Sequence, residues 1–345
     1  MFKLHRAFAL MTSLLVVGVS AGCSTAGDDS SSSVDQNFEQ SVAPLARFAP
    51  YLKTLKTTLE AEETVEKIAE RLLASGRPAT FSLQALCRVY GKADPQFNVI
   101  RDDFKRLEDG IGAYAKWDDL YQAAVSGGKD AATVERLKGQ RDEALTRFTK
   151  LLTEQQWRTE AGAPTRLKTI EDFLNGFAWQ TRAEDRKTVL AHLIDELEDL
   201  KSTTYDMKVL EHGDGVHELR RDLRWVLIEQ LGLNGMIVVK DANDACPIAA
   251  YSALTSASRY TSLRATAVEP DPCRVSLCVV GAAAKAVDEI GNVKDQAETE
   301  VNLNGDADVV PERLQAQAQA IYDGMVQNDL IGVYLAELNA CKAGL

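Results

Sequence analysis

The sequence of 345 residues has few of the features that mark specialised classes of protein. Its 9 prolines and 22 glycines are not enriched, and no segment repeats at the periods of solenoid proteins. It also lacks a basic excess, because 39 Lys and Arg residues accompany 51 Asp and Glu residues and give a formal charge of −12. General nucleic-acid binders neutralise phosphates with surplus basic residues, so we expect no nucleic-acid partner. The 45% of hydrophobic residues is enough for a folded core.

Sequence motifs of catalysis and of cofactor binding are also missing. The sequence has no nucleophile elbow, no glycine-rich phosphate loop and no two cysteines separated by two residues. We therefore predict a protein that is not an enzyme and that holds neither a metal ion nor a cofactor. An unrecognised hydrolase is the weakest alternative, because a catalytic triad is assembled in space and leaves no mark in sequence spacing.

The first residues have the layout of a secretory signal. Lys3 and Arg6 precede an apolar run over residues 7–19, which is shorter than the roughly 20 residues of a transmembrane helix, and small residues then lead to Cys23. This arrangement resembles a bacterial lipoprotein processing site, in which the cysteine is acylated and becomes the new N-terminus. Ordinary signal cleavage near Ala21 or Ala26, with Cys23 incidental, is the alternative interpretation. We predict a signal peptide over residues 1–22 and lipidation of Cys23.

The residues after Cys23 are predicted to tether the protein to a membrane. Residues 24–33 carry no apolar side chain larger than alanine, and we predict a flexible tether over 23–40. In the lipoprotein family, Ser24 directly after the cysteine favours the outer membrane, so the resemblance implies an anchored protein that faces the periplasm. Loss of the signal peptide makes the chain more acidic still, so anionic lipids would repel the body and only the acyl chains would hold it.

The rest of the sequence has the periodicity of helices. Apolar residues from Phe97 to Tyr114 are spaced alternately three and four apart, and the same spacing returns in later segments, including the one around His192. His192 itself lies off the apolar stripe and is predicted to be at the surface. We predict an all-α fold, an antiparallel helical bundle, with an N-terminal half over 41–205, a C-terminal half over 206–345 and a loop-rich insertion over 232–275 in the latter.

Five cysteines follow Cys23, in a compartment that permits disulfide bonds. Cys87 lies in an apolar helical stretch and is predicted to be a buried free thiol. The other four fall in the C-terminal half, where bridges would pin the loop-rich region. We expect at least one disulfide among them, although the sequence does not choose between the three possible pairings. These candidates are Cys246, Cys273, Cys278 and Cys341.

One predicted helix, from Gly215 to Glu229, sorts its side chains by type. Leucine and valine side chains occupy one face, and a second face carries four basic residues at positions i, i+3, i+4 and i+7. These are His217, Arg220, Arg221 and Arg224. Like charges four residues apart cost about 0.2–0.5 kcal/mol per pair, so we expect negative charge nearby. Carboxylates of neighbouring helices are one source, and a bound polyanion is the other, since guanidinium groups suit phosphate oxygens and a protonated His217 adds a donor.

The same helix carries a family resemblance. His217-Glu218-Leu219-Arg220, followed by Arg224 and Trp225, resembles the histidine-bearing helix of the conserved-histidine α-helical domain, known as CHAD. The segment from 104 to 120 is similar to a second helix of that family, and residues 81–88 resemble its first basic helix, with Ser82 in place of histidine. The resemblance implies two similar helical halves and a cavity that binds inorganic polyphosphate without catalysing a reaction.

Together these observations predict a non-catalytic lipoprotein of the cell envelope. It would bind inorganic polyphosphate or another polyanion through the basic face formed by His217, Arg220, Arg221 and Arg224. The alternative is a structural or partner-binding envelope lipoprotein with no small ligand. The sequence does not identify a protein partner in either case.

Overall fold

The computed structural model describes residues 43–61, 63–159, 162–211, 213–233, 235–240, 245–254, 271–304 and 309–344. The predicted signal peptide, the tether and Cys23 lie outside these residues. The described part is almost entirely helical, which confirms the prediction of an all-α fold. Apolar residues of the predicted stripes become the core, and the whole series from Phe97 to Tyr114 is buried.

Seven α-helices belong to the predicted N-terminal half. They are α1 (Ala43–Leu59), α2 (Val65–Arg71), α3 (Arg77–Tyr90), α4 (Gln96–Ser126), α5 (Ala131–Glu154), α6 (Thr165–Gly176) and α7 (Arg182–Ser202). A single π-helical turn, Leu72–Gly76, joins α2 to α3. At the start of α7, the side chains of Thr181 and Glu184 bind each other's backbone N–H groups, a capping box that fixes where the helix begins.

The C-terminal half contains α8 (Val216–Gly232), α9 (Leu277–Asn304), α10 (Glu312–Gln327) and α11 (Leu330–Ala343). Within the region predicted to be rich in loops, β1 (Ile237–Val239) pairs in parallel with β2 (Cys273–Val275). A short 3₁₀ helix, Ala249–Tyr251, lies between the two strands in sequence. The sequence did not predict these strands, because three residues are too few to show the alternation that marks a strand.

Two disulfides cross-link the C-terminal half. Cys246 is bonded to Cys278 at the start of α9, and Cys273 in β2 is bonded to Cys341 in α11. The expectation of at least one bridge among these four cysteines is therefore confirmed. Cys87 is free and buried, as predicted, and burial raises the pKa of its thiol.

Helix α8 lies at the centre of the packing. It contacts α3 and α7 of the N-terminal half and α9 of its own half. The main hydrophobic core runs through both halves, and a smaller core forms around the N-terminal part of α8, α9 and α10. Among the described helices, none combines the length and the apolar character that a membrane crossing requires. The central position of α8 brings its basic face against side chains of distant segments.

Candidate functional site

The two faces of α8 have different surroundings. The apolar face, which consists of Leu219, Leu223, Val226 and Leu227, is buried in the core, as the spacing predicts. The basic face borders a cavity of about 200 Å³, and all four predicted residues line it. Periodicity alone therefore placed His217, Arg220, Arg221 and Arg224 on one wall of a single site.

The opposite walls come from α3 and α4. Helix α3 contributes Arg77, Phe81 and Gln84, and α4 contributes Lys105 and Glu108. Trp225 and Ile228 of α8 also line the cavity. Trp225 and the stretches 81–88 and 104–120 carry the family resemblance, but none of these lining residues was predicted as a site residue. The three from α3 have the spacing i, i+4 and i+7 that places side chains on one helix face.

Arg220 is the basic residue with the least compensation. It forms no ion pair with any carboxylate that the structure describes, and its Nε is buried without a hydrogen-bond partner. Its guanidinium lies against Gly291 of α9, where a Cβ atom would be only 2.7 Å from Nε. Glycine at this position lets the arginine approach the backbone of α9 and reach the cavity wall.

Arg221 and Arg77 do contact carboxylates. Arg221 is paired with Glu218 and lies 3.9 Å from Asp222, and both acids belong to its own helix. Across the cavity, Arg77 Nε lies 2.8 Å from Glu108 Oε1. The described residues that line the cavity include five arginines and lysines and one carboxylate, Glu108, and Lys105 is paired with Asp109 of its own helix, outside the lining.

An aromatic wall supports the arginines. The guanidinium carbon of Arg224 lies 4.3 Å from the centre of the Phe81 ring, and that of Arg77 lies 5.7 Å from it. Phe81 in turn meets the edge of Trp225, with ring centres 6.0 Å apart. Cation–π contacts of this kind favour one orientation of each guanidinium plane without neutralising its charge.

His217 has an environment that disfavours its protonated form. Burial, together with the nearby Lys294, Arg221 and Arg220, lowers its pKa from 6.5 to about 4, although Nδ1 lies 3.4 Å from Glu211 Oε2. The imidazole is therefore neutral at pH 7 when the cavity holds no anion. The sequence allows a protonated His217 that donates to an anion. With the lowered pKa, the imidazole is instead a neutral donor or acceptor.

Gln84 adds an unsatisfied donor to the cavity. Its side chain is only 1% exposed, and Nε2 is buried without a hydrogen-bond partner. A buried amide without a partner costs about 1–3 kcal/mol, which an acceptor in the cavity would recover. Nothing in the sequence marks this residue, because its role depends on the packing of α3 against α8.

His192 is not at the surface, contrary to the sequence prediction. It is 6% exposed, because α7 is covered by α8 and α11 on sides that a single apolar stripe does not reveal. Its Nε2 lies 3.2 Å from Glu229 Oε2 of α8, and Glu229 is fully buried. Burial and the charge of Glu229 raise the pKa of nearby Glu196.

Comparison with known proteins adds no relative to this picture. No protein-family model, no curated protein and no solved structure matches the chain.

Proposed function

We infer that the protein binds inorganic polyphosphate or another phosphate-bearing polyanion in the cavity between α3, α4 and α8, and that it does so without catalysing a reaction. One observation carries this proposal. Five arginine and lysine side chains from three helices converge on one cavity, whose walls contribute a single carboxylate. That carboxylate, Glu108, is already engaged by Arg77.

The chemistry of the walls suits phosphate oxygens. Arginine presents several N–H donors in a planar fork, which matches two oxygens of one phosphate group. Arg220 and Gln84 both line the cavity, and each has a buried nitrogen without a hydrogen-bond partner. An anion would also relieve the repulsion between Arg220 and Arg224, four residues apart on α8.

The place of action in this proposal is the cell envelope. Lipidation of Cys23 would anchor the chain to the outer membrane, with the helical body in the periplasm. A single acyl chain gives only marginal membrane binding, whereas a lipoprotein carries several, so the acidic body would stay attached despite its charge. The signal sequence and Cys23 support this location.

The test is calorimetric titration of the mature protein with tripolyphosphate. We expect wild type to bind, and we expect Arg220→Gln to weaken the affinity at least tenfold, because it removes a cationic donor from the cavity wall. The matched control is Arg147→Gln, which removes an exposed arginine that lies on α5 and pairs with Glu143 within the same helix. The control should bind like wild type.

The dependence of the affinity on ionic strength distinguishes binding by charge attraction from other kinds of binding. The affinity of wild type should fall as ionic strength rises, because counterions screen the arginines. Absence of binding by wild type at low salt would contradict the proposal, and so would equal affinities of wild type and Arg220→Gln.

The ion pairs of Arg221 favour a second candidate, a structural or partner-binding envelope lipoprotein. Glu218 and Asp222 compensate Arg221 from within α8, so this arginine needs no ligand. In that case tripolyphosphate would not bind, and the basic face would serve the packing of α8.

A further inference from the structure

A second cluster of polar side chains lies on another side of α8, separate from the cavity. His192 and Glu196 are four residues apart on α7, so they share one face of that helix, and Glu229 projects towards them from α8. One ligand atom from each of the three lies within 4.8 Å of the others. His192 and Glu229 are buried, whereas Glu196 is 28% exposed.

Arg88 of α3 divides the four carboxylate oxygens of this cluster into two pairs. Its Nε binds Glu229 Oε1 at 2.6 Å, and its second terminal nitrogen binds Glu196 Oε2. The remaining oxygens, Glu229 Oε2 and Glu196 Oε1, face His192 Nε2. A residue that holds the outer oxygens of two carboxylates orients the inner oxygens, which is how groups behind metal ligands act.

His192 Nε2 lies at hydrogen-bond distance from one of the two inner oxygens, Glu229 Oε2, and further from the other. Glu196 Oε1 lies 4.0 Å from Nε2, too far to accept a hydrogen bond. Two metal–ligand bonds of about 2.0–2.1 Å would be almost in line across this separation, so the partly exposed Glu196 side chain must turn inward to complete a tetrahedral site. His192 Nε2 and Glu229 Oε2 are 3.2 Å apart. Two metal–ligand bonds of about 2.0–2.1 Å to these atoms would meet at roughly the tetrahedral angle.

Charge and donor type define the ion. The two carboxylates of the cluster outnumber Arg88, and a buried net negative charge attracts a compensating cation. One imidazole nitrogen with two carboxylate oxygens suits Zn²⁺ and similar transition metals, whereas Mg²⁺ and Ca²⁺ prefer oxygen ligands alone. The partly exposed Glu196 provides the path by which an ion enters.

We propose that His192, Glu196 and Glu229 form a binding site for a divalent transition-metal ion, with Zn²⁺ the best fit, and that Arg88 positions the two carboxylates. Three protein ligands with water as the fourth is a known arrangement of zinc sites. The sequence predicts no metal site, because it contains no paired-cysteine motif and the periodicity places His192 at the surface. This proposal is independent of polyanion binding, since it uses other residues.

The first experiment uses Co²⁺ as a coloured probe for Zn²⁺. Co²⁺ is added to the tag-free mature protein in phosphate-free buffer, and the visible absorption is recorded. We expect one equivalent to produce the strong absorption of a four-coordinate site, and Zn²⁺ to displace it. Absence of this band in wild type would overturn the proposal without any variant.

Two variants and a matched control then identify the ligands. Glu196→Gln and His192→Gln should each weaken Co²⁺ affinity at least tenfold, since a lost ligand costs no less than a lost orienting residue. Asp195→Asn is the control, because it removes the neighbouring carboxylate of α7, which is exposed and paired with Lys92. It should bind Co²⁺ like wild type.

The partly exposed position of Glu196 keeps the test decisive if His192→Gln fails to fold. Circular dichroism establishes that Glu196→Gln is folded, and its affinity then decides the matter. If Glu196→Gln binds Co²⁺ as tightly as wild type, the ion lies elsewhere and the cluster is an ordinary network of ion pairs.

Discussion

The contrast between two arginines offers a quantitative test of how charge is distributed around α8. Arg88 of α3 is bound to two carboxylates, whereas Arg220 of α8 is bound to none that the structure describes. Replacing each with glutamine removes the same charge and the same five-donor group. Any difference in stability between the two variants should therefore come from the surroundings of the two arginines.

Loss of Arg88 leaves a buried carboxylate without its main partner. Glu229 is fully buried, and Arg88 Nε lies 2.6 Å from its Oε1. Breaking a buried pair by removing one member costs about 3–5 kcal/mol. The hydrogen bond between His192 Nε2 and the other oxygen of Glu229, at 3.2 Å, remains and compensates in part, so we expect the lower end, about 3 kcal/mol. At about 2 °C per kcal/mol, the melting temperature should fall by about 6 °C.

Loss of Arg220 should leave stability almost unchanged. Repulsion from Arg224 is relieved, which stabilises by about 0.2–0.5 kcal/mol, while the contact of the side chain with Gly291 is lost. Because these effects oppose each other, the net change should stay within about 0.5 kcal/mol, or about 1 °C in melting temperature.

Thermal melts followed by circular dichroism, with urea unfolding as a second measurement, test both values. Ligand-free protein is used throughout, without phosphate or metal ions. If Arg220→Gln loses as much stability as Arg88→Gln, Arg220 has a buried carboxylate partner and its description as uncompensated is wrong. If Arg88→Gln loses less than about 1 kcal/mol, Glu229 is not held by an ion pair.

Three further outcomes are expected. Cys23→Ser should release the protein from the membrane fraction, because acylation would be its only anchor, and unchanged fractionation would refute this. Removing the Cys273–Cys341 bridge should cost roughly 4 kcal/mol in urea unfolding, and removing Cys246–Cys278 somewhat less, because it closes 32 residues rather than 68; the opposite order would contradict this reasoning. As pH falls from 6.5 towards 4, the unfolded chain protonates His217 before the folded protein does, so wild type should lose stability more steeply than His217→Gln; parallel pH curves would show that the pKa is not lowered.

Local periodicity explains which parts of this molecule could be predicted from sequence. The spacing of apolar residues along α4 and α8 fixed their buried faces, and the same spacing placed Arg220 beside Arg224 on one cavity wall. Such predictions succeed because residues three or four apart are neighbours in any helix, whatever packs around it. The existence of disulfides followed similarly from the number of cysteines, but the pairing did not.

What the sequence could not reveal depends on contacts between distant segments. Arg77, Gln84 and Lys105 join the cavity only because α3 packs against α8, more than a hundred residues later in the chain, and α4 packs against α3. His192 was misplaced for the same reason, since a stripe of apolar residues reports one buried side of a helix and α7 is covered on more than one.

The order of the bonded cysteines along the chain affects which disulfides form during synthesis. Of the four bonded cysteines, Cys246 and Cys273 are synthesised first. Because the two bridges interleave, these two are not partners in the folded protein. Until Cys341 is synthesised, Cys273 can react only with wrong thiols, and such bonds are undone by attack of another thiolate on the disulfide. In an oxidising compartment, a chain oxidised before Cys341 is made therefore needs disulfide exchange as well as oxidation to reach the native pairs.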